Sequence, residues 1–482
     1  MISSRRGGRV DSRDAHQPSC LYVVHDNINV PHALVIEAWS LSIKQEDTRD
    51  MYLLCSYKYF WKSCVALFLV CLFMLSTYNY TMIRQPRTLL KAQRTMPTAT
   101  GSITPLQDNK TVIISAYYDN RESNNVRIIA ILHVDKVKEL YCWFYCKFSN
   151  GYTPVRAHID VPSDRFDFSY SAVILLCEEP RLCFSQYISI HSMSTGRIDG
   201  GPVFEIKNRE PLSPSANFTV CISTMFGNSR NVLQFVQAME MYRILGAQRV
   251  VIYKNSCSPT IERAIEYYVL EGVVEVVPWP IDRYLRTSHA WHHAMDPRNE
   301  IGYYGQLAAL NDCLYRNMYK TKYLTFNDID EIILPRKHRD WNEMMEVLQK
   351  EHPEKSVFLI ENHYYPIHIT DHTFDNAFPK DVPGHNILQY IYYEPEQPNV
   401  YNNHKMIVNP RKVIQTGVHF TLKAYGGNLD VANHIAGLHH SREAKQPNIP
   451  FTSLIRDTTL WKYSATLIHN VNRVLKNLTY VV

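Results

Sequence analysis

The chain has 482 residues, of which 45% are hydrophobic and 20% are charged. This balance is typical of folded proteins and excludes an intrinsically disordered chain. At roughly 100–200 residues per domain, the length indicates two to three domains. The formal net charge of +5 is small for such a length. The composition therefore does not indicate nucleic-acid binding, and we expect no nucleic-acid partner.

The N-terminal region contains one long uncharged stretch. Between Lys62 and Arg84 lie 21 residues without a charged side chain, flanked by aromatic residues. About 20 apolar residues are needed for a helix to cross a bilayer, and flanking aromatics are typical of the membrane interface. The stretch begins too far from the N-terminus for a cleaved signal peptide. We therefore predict a single transmembrane anchor over residues 58–83, preceded by a mostly disordered cytoplasmic tail over 1–57.

The positive charges on both sides of this stretch do not decide its orientation. Four glycosylation sequons, at Asn79, Asn109, Asn217 and Asn477, abut or follow it, and such sites are used in the secretory lumen. Asn79 lies too close to the membrane to be a good acceptor. Seven of the 11 cysteines also follow the anchor, and a lumenal setting permits disulfides. Because seven is odd, at least one of these thiols has no partner within the chain.

The next two segments differ in their apolar pattern. Residues 84–110 are rich in Thr, Pro and Gln without apolar periodicity, which predicts a stem linker. Residues 111–210 instead contain short alternating apolar runs, which predict a small antiparallel β domain. The predicted strands are Thr111–Tyr117, Arg127–His133, Leu140–Phe148, Ala172–Cys177 and Tyr187–His191.

Strands and helices alternate from residue 215 onward. This order predicts an α/β domain with a parallel sheet and helices on its faces, over residues 215–450, followed by a C-terminal extension over 451–482. Ligands of such sheets bind at the carboxyl ends of the strands. The predicted elements are the strand Phe218–Ser223, the helix Asn231–Gly246, the strand Arg249–Tyr253, the helix Ile261–Leu270 and the strand Val273–Val277.

A further predicted helix, Tyr303–Met318, and strand, Lys322–Phe326, lead into the acidic sequence NDIDE at residues 327–331. Carboxylates crowded at a strand end repel one another, so a cation is their natural partner. Asp328 and Asp330 are two residues apart and share one side of an extended segment. This spacing suits one hard divalent ion that also holds substrate phosphates. The competing interpretation is a solvated acidic turn.

Several segments, in chain order, resemble a known family. They are ISAYYDNR at 114–121, VCISTMF at 220–226, RILGA at 243–247, VVIYKNS at 250–256, YGQLAALNDCLYR at 304–316, FNDIDEIILP at 326–335, VNPRKVIQTGVH at 408–419 and LHHSR at 438–442. Together they resemble glycosyltransferase family 92 over residues 112–445. The sequence departs from the family pattern at Ser441, where an aromatic residue is expected.

The resemblance implies a type II Golgi membrane protein with a GT-A-like, Rossmann-type nucleotide-sugar domain. It also implies transfer of galactose, with inversion, from UDP-galactose to a glycan or glycoprotein acceptor, with Mn²⁺ as the metal. Asp328 and Asp330 would hold this ion against the diphosphate, where it neutralises the charge that develops as the glycosidic bond breaks. In GT-A enzymes a histidine near the C-terminus often binds the metal or the phosphate as well. His440 is our candidate, and His439 and His419 are the alternatives.

Inversion at the sugar carbon requires a base for the acceptor hydroxyl. Glu361, which follows an apolar run at residues 357–360, is our candidate for this catalytic base. Asp371, Asp375 and Glu394 remain competitors, because no spacing rule separates them. The competing interpretation of Glu361 is a residue at the rim of the site.

Four polar residues are candidates for binding the nucleotide sugar. Tyr253 and Asn255 end the second strand of the α/β unit, where a base or ribose would lie. Gln306 and Asn311 lie on the helix that precedes the acidic segment. For each of the four, the competing interpretation is a packing role or a place on a helix surface.

Two other function classes stay open. A glycoside hydrolase needs two carboxylates that flank a bond at about 5 Å or more, and carboxylates two residues apart fit metal chelation better. A non-catalytic lumenal protein that binds a carbohydrate or sugar nucleotide is the second class, because fold does not fix function. The intact acidic segment argues against this loss of catalysis.

Overall fold

The computed structural model of the chain describes residues 65–76, 99, 101–146, 151–195, 201–211 and 213–479. It divides into two compact units, Met1–Arg87 and Thr88–Val482. In the first unit, residues 65–76 form a helix. Within the described ranges, no helix is long and apolar enough to cross a membrane. The remainder of the predicted anchor, and the predicted cytoplasmic tail, lie outside the described residues.

The second unit begins with a nine-stranded sheet whose order is β5-β4-β8-β9-β2-β3-β7-β6, with β1 beside β2. Its neighbours pair antiparallel, except for β2 and β9, which are parallel. The short strand β1 lies in the segment that we predicted as a stem linker. The strands are β1 Thr104–Pro105, β2 Thr111–Asp119, β3 Asn125–His133, β4 Tyr141–Cys146, β5 Gly151–Arg156, β6 His158–Asp160, β7 Tyr170–Glu178, β8 Tyr187–His191 and β9 Val203–Lys207.

A second nine-stranded sheet follows, with the order β12-β11-β10-β13-β17-β15-β21-β14 and with β20 beside β15. Two small sheets pair β16 with β22 and β18 with β19. The strands are β10 Ala216–Met225, β11 Ala247–Lys254, β12 Val274–Pro278, β13 Thr321–Phe326, β14 Glu331–Pro335, β15 Lys355–Pro366, β16 Tyr392–Tyr393, β17 His404–Val408, β18 Val413–Thr416, β19 Thr421–Ala424, β20 Gly427–Val431, β21 Ala436–Arg442 and β22 Ile455–Arg456. The helices are α1 Val232–Ile244, α2 Pro259–Leu270, α3 Gln306–Asn317, α4 Trp341–Glu351 and α5 Ser464–Thr479.

The predicted alternation of strands and helices is confirmed, and the chain is a mixed α/β protein. Strands β10, β11, β12 and β13 are mutually parallel, and α1 and α2 connect the first three. Local sequence signals set the two ends of α1. The side chain of Asn231 caps α1 by accepting from the backbone N–H of Gln234. Gly246, with φ 109°, takes the left-handed conformation that ends the helix.

Two apolar layers cover the second sheet. On one face α3 packs between the two sheets, and its Leu310 and Leu314 share a core with Ile131 of the first sheet. On the other face α1, α2, α4 and α5 form the second core. Leu467 and Val471 of α5 are buried in it. The segment that we predicted as a C-terminal extension therefore contributes to the main core.

A buried carboxylate joins the two sheets. Asp312 of α3 accepts hydrogen bonds from the hydroxyls of Tyr117 and Tyr253, each at 2.6 Å. It also pairs with Arg316 at 2.9 Å. Burial opposes the charge of Asp312, but the Arg316 guanidinium and the two tyrosine hydroxyls outweigh it and lower its pKa. The two sheets are thus linked by a satisfied ionic network as well as by apolar contact.

Three disulfides cross-link the second unit. They join Cys142 to Cys177, Cys146 to Cys183, and Cys221 to Cys313. Six of the seven cysteines after the predicted anchor are thus paired, and Cys257 is free. This pairing agrees with the odd count, which requires one thiol to be left over.

Candidate active site

The acidic segment 327–331 forms a tight turn at the carboxyl end of β13, which we call the acidic turn. The backbone N–H of Asp328 donates to the Glu331 carboxylate at 2.9 Å, and the N–H of Glu331 donates to the Asp328 carbonyl at 3.1 Å. The turn is tied to the neighbouring parallel strand, because Asn327 N–H donates to the carbonyl of Cys221 at 3.1 Å. The carboxylates are thus held at the sheet edge where α/β proteins bind their ligands.

Lys405 of β17 neutralises two of these carboxylates. Its Nζ lies 3.1 Å from Asp328 Oδ2 and 2.8 Å from Glu331 Oε2. The lysine side chain is 4% exposed and that of Glu331 is 3% exposed, whereas that of Asp328 is 43% exposed. Burial opposes the charge on Lys405, but the two carboxylates outweigh it and raise the pKa of the lysine. The ammonium is therefore a permanent cation within the site.

His440 of β21 faces the third carboxylate. Strand β21 pairs antiparallel with β14 and sets His440 opposite Glu331. Its Nε2 lies 3.3 Å from Asp330 Oδ2, and its Nδ1 lies 3.6 Å from Glu331 Oε1. Burial lowers the pKa of His440, but the Glu331 and Asp330 carboxylates outweigh it, so the net shift is upward. Burial likewise opposes the charge of Asp330, and His440 reverses this, so the pKa of Asp330 is lowered.

The spacing of Asp330 and His440 suits a divalent ion. Two ligands at about 2.1 Å from an ion, at right angles, lie about 3 Å apart, and the 3.3 Å between Asp330 Oδ2 and His440 Nε2 matches this separation. Asp328, by contrast, is engaged by Lys405. Among the described residues, no group of three or more His, Cys, Asp or Glu side chains is arranged to hold a metal ion. The residues therefore fit an ion with two protein ligands, whose other positions are filled by substrate and water.

Glu361 lies away from this cluster. In β15, Tyr364 pairs with His440, and Ile360 pairs with Lys405. Side chains alternate along a strand, so Glu361 points to the opposite face. There its Oε2 lies 3.7 Å from His363 Nε2. The structure thus places Glu361 on the face opposite Lys405 and His440, and its role as the catalytic base stays a prediction.

The competing carboxylates are also used elsewhere. Glu394 accepts from the backbone N–H of Gln446 at 3.0 Å. Asp371 accepts from the N–H of Thr373 at 2.9 Å. Asp375 accepts from the side chain of Gln389 at 2.7 Å. None of these contacts involves the acidic turn.

Two of the four nucleotide-binding candidates are occupied by protein partners. Tyr253 is fully buried and donates to Asp312 at 2.6 Å. The buried Asn311 donates to the carbonyls of Leu307 and Thr416 at 2.8 and 2.9 Å, and accepts from the Thr416 N–H at 3.0 Å. Both side chains therefore serve packing, which was the competing interpretation.

The other two candidates lie at the carboxyl edge of the sheet. Asn255 follows β11 and donates to the Trp279 carbonyl at 3.0 Å and to Asp282 at 2.6 Å. Gln306 begins α3 and donates to the Ser223 hydroxyl at 2.9 Å. Both are partly exposed, and their role in binding a nucleotide stays a prediction.

A strained turn precedes α3. The sequence predicts that this helix begins at Tyr303, but it begins at Gln306. Tyr303, Tyr304 and Gly305 have φ values of 42°, 54° and 75°, and such left-handed backbone costs of order 1–3 kcal/mol at each non-glycine residue. The turn is held because the Thr224 hydroxyl donates to the carbonyl of Tyr303 at 2.8 Å. Burial raises the pKa of Tyr303, while the charge of Arg442 lowers it and that of Asp328 raises it.

His419, the alternative metal ligand, also borders the cluster. Its Nδ1 contacts the carbonyl oxygen of His404 at 3.1 Å. Burial and the charge of Lys405 lower the pKa of His419 to about 4, so the ring is neutral at physiological pH. His439, the other alternative, points to the opposite face and contacts the Tyr390 carbonyl at 2.9 Å.

The sequence profile of glycosyltransferase family 92 matches residues 216–471, which is more than half of the chain. The chain belongs to glycosyltransferase family 92. This family 92 match includes the acidic turn, Lys405 and His440. The resemblance of the sequence motifs to the family is thereby confirmed, and the chain is a glycosyltransferase by family, which implies a sugar donor and a glycan acceptor.

Individual family 92 relatives are distant. The beta-1,4-galactosyltransferase galt-1 of Caenorhabditis elegans is 23% identical over 352 residues, which cover 70% of this chain and 75% of that protein. The family 92 proteins F13G3.3 and F59C6.8 of the same organism are 25% and 23% identical, over 46% and 71% of this chain. The alignments span 40% and 64% of those two relatives. A solved cyclomaltodextrinase aligns at 11% identity over 33% of this chain and 38% of its own, with a TM-score of 0.15.

Proposed function

We propose that the chain transfers a hexose, galactose, from UDP-galactose to a glycan or glycoprotein acceptor with inversion, in a reaction that depends on Mn²⁺. The observation that carries the proposal is the Asp330–His440 pair, 3.3 Å apart at the carboxyl edge of the parallel strands. The parallel order of β10, β11, β12 and β13 supports a GT-A-like nucleotide-sugar domain. The name of the relative galt-1 supports the choice of galactose.

The proposed metal chemistry assigns separate tasks to the charged residues. Asp330 and His440 would hold the ion, which when bound supplies positive charge to the diphosphate leaving group. The carboxylate of Asp330, together with water and phosphate oxygens, suits a hard divalent ion such as Mn²⁺. Lys405 pairs with Asp328 and Glu331 and fixes both side chains at short range. This leaves Asp328, the most exposed of the carboxylates, at the surface that substrate would approach.

We further propose that the chain is a single-pass type II Golgi membrane protein with its second unit in the lumen. Three disulfides support an oxidising compartment. The sequon residues Asn109, Asn217 and Asn477 are all exposed, as glycosylation requires. Digestion with a peptide N-glycosidase, before and after permeabilisation of Golgi vesicles, tests this topology. Loss of glycan mass only after permeabilisation supports it, and an unglycosylated chain contradicts it.

The activity is tested by measuring UDP release from a panel of UDP-sugars with the full-length chain and glycan acceptors. The expected result is release from UDP-galactose that requires acceptor, requires Mn²⁺ and is abolished by EDTA. Asp330→Asn and His440→Gln should each lower the rate by at least about 10²-fold, which is the scale for loss of charge stabilisation in a transition state. Absence of release from every UDP-sugar, with UDP bound by folded protein, would instead favour a non-catalytic binding protein.

A further inference from the structure

A cavity of about 330 Å³ opens at one end of the first sheet, where β3 begins and β7 ends. We call it the distal cavity. Its walls are Ser123 and Asn124, which precede β3, Glu178 at the end of β7, and the turn at residues 180–184. None of these residues belongs to the candidate active site.

The distal cavity lies away from the catalytic edge. Strand β7 begins at Tyr170, whose backbone N–H donates to the carbonyl of Glu300 at 3.0 Å. Glu300 lies in the segment that joins β12 to α3 at the carboxyl edge of the second sheet. The nine residues of β7 span about 27 Å, at about 3.4 Å per residue. The cavity is therefore at the end of the first sheet that is remote from this segment.

The turn that forms one wall exposes two large apolar side chains on strained backbone. Leu182 and Phe184 have φ values of 60° and 47°, and they are 74% and 66% exposed. Bulky residues rarely adopt this left-handed conformation, because it costs stability. The disulfide of Cys183 holds the turn between them, and the Glu179 carboxylate accepts from the backbone N–H of Ser185 at 2.8 Å. Strain that is held in this way is typical of functional sites.

The polar walls of the cavity carry hydrogen-bonding groups that are free to contact a ligand. Asn124 accepts from the Tyr118 hydroxyl at 2.8 Å through its side-chain oxygen, which leaves both N–H groups of its amide available. Neither the exposed carboxylate of Glu178 nor the exposed guanidinium of Arg181 has a side-chain partner among the described residues. The cavity thus offers donors and an acceptor beside an aromatic ring.

These groups define the ligand chemistry. The charge of Glu178 repels an anion and that of Arg181 repels a cation, so a neutral ligand is favoured. A purely apolar ligand would leave the polar groups without partners. A sugar ring meets both demands, because its hydroxyls donate and accept while its C–H face packs against the ring of Phe184. Small-molecule pockets have volumes of roughly 300–1,000 Å³, so about 330 Å³ suits a monosaccharide or disaccharide.

We propose that the distal cavity is a second, non-catalytic site that binds a neutral sugar ring of a glycan. The site goes beyond the proposed function, which assigns no role to the first sheet. Its benefit to transfer rests on that function: on a glycoprotein with several glycan branches, the cavity would hold one branch while another reaches the catalytic edge. Such two-point attachment raises the effective concentration of the acceptor without changing the chemistry.

Saturation-transfer difference NMR of the full-length chain tests the binding step. The probes are the methyl glycosides of galactose, mannose, fucose and N-acetylglucosamine, without UDP-sugar or Mn²⁺. Phe184→Gly removes the aromatic ring and Arg181→Ala removes the donors, and both side chains are exposed, so both variants should fold. Phe451→Ala, at a 57% exposed phenylalanine outside the cavity, is the matched control.

The expected result is that at least one glycoside binds to the wild type and to Phe451→Ala. Phe184→Gly and Arg181→Ala should each bind it at least about tenfold more weakly, which is the scale for losing apolar burial or a hydrogen bond to a charged group. Because glycine adopts the left-handed backbone without strain, the Tm of Phe184→Gly should equal or exceed that of the wild type. A ring with a merely structural role would give a lower Tm.

Kinetics of UDP release test the benefit to transfer. Both cavity variants should keep the wild-type KM for a free monosaccharide acceptor and show a raised KM for a glycoprotein acceptor. An unchanged KM for the glycoprotein would overturn the two-point attachment.

Two results would overturn the glycan site itself. The first is a wild type that binds none of the four glycosides, or cavity variants that both bind them equally well. The second is a dimer in sedimentation velocity that Phe184→Gly dissociates, because the exposed pair would then be an interface between two copies of the chain. Glycoside binding that depends on the cavity, in a chain that releases no UDP from any UDP-sugar, would instead overturn the proposed function and leave the glycan site standing.

Discussion

Replacement of Lys405 by methionine should destabilise the protein more than any single surface change. The substitution keeps the length of the side chain but removes the cation between Asp328 and Glu331, which its Nζ contacts at 3.1 and 2.8 Å. Glu331 is 3% exposed, so its charge would be left buried without its nearest partner. Asp328 is 43% exposed and can be stabilised by water, so Glu331 carries most of the cost.

The magnitude follows from the known cost of breaking a buried ion pair, which is about 3–5 kcal/mol when one partner is removed. For a large domain, each kcal/mol lowers the midpoint of thermal unfolding by roughly 2 °C. Lys405→Met should therefore lower the Tm of the full-length chain by roughly 6–10 °C. Scans at one fixed rate are compared, because unfolding of large disulfide-bonded proteins is often irreversible.

A second substitution tests the electrostatic reasoning itself. Glu331→Gln removes the buried negative charge, so combining it with Lys405→Met should recover part of the lost Tm, although each change alone is destabilising. A Tm of Lys405→Met within 2 °C of the wild type would refute the argument. The argument would also be refuted if the decrease in Tm of the double variant equalled the sum of the decreases of the two single variants. Independent effects add in this way, whereas coupled effects do not.

Three further predictions concern the rest of the fold. Asp312→Leu should lower the free energy of unfolding by about 3–5 kcal/mol, because it removes the buried partner of Arg316 and leaves the hydroxyls of Tyr117 and Tyr253 without their acceptor. Tyr117→Phe, which removes one hydrogen bond, should cost about 1–3 kcal/mol in the same denaturant titration. The pKa of Asp457 is lowered to about 2 from 3.8, because hydrogen bonds from Thr459 and the charge of Arg336 outweigh burial. The charged form of Asp457 therefore contributes about 2 kcal/mol of stability above pH 4, and this contribution is lost as the pH falls through 2. The difference in Tm between the wild type and Asp457→Asn should be constant from pH 5 to 7 and should shrink below pH 4. Opening the Cys221–Cys313 link by changing both residues to alanine should lower stability by about 2–5 kcal/mol, and a variant that melts with the wild type would contradict its contribution.

The elements of the α/β half were predictable because their apolar periods are strong. The helix that begins after Asn231 and ends at Gly246 carries both of its boundary signals in the sequence. The left-handed backbone at Tyr303 and Tyr304 carried no such signal, because bulky residues rarely adopt it. It is imposed by tertiary contacts such as the hydrogen bond from Thr224, which local patterns do not encode.

The candidate site was predictable only in part. The acidic turn and His440 belong to motifs, whereas Lys405 lies just before the apolar residues 406–408 and depends on the pairing of β17 for its role. Its one signal was a charge beside the apolar residues of a strand, where lysine is rarely buried unless paired. The face that Glu361 takes was likewise not predictable, because strand register decides which face a residue takes and a shift of one residue reverses it.

The central claim is that Asp330 and His440 together hold the divalent ion against the UDP moiety. The most direct test is titration of the full-length chain and UDP with Mn²⁺, with free Mn²⁺ followed by electron paramagnetic resonance. Asp330→Asn and His440→Gln should each weaken Mn²⁺ binding at least tenfold, whereas Glu361→Gln, on the opposite face of the sheet, should bind as the wild type does. Equal Mn²⁺ affinity in all four proteins, or a loss confined to Glu361→Gln, would contradict the account.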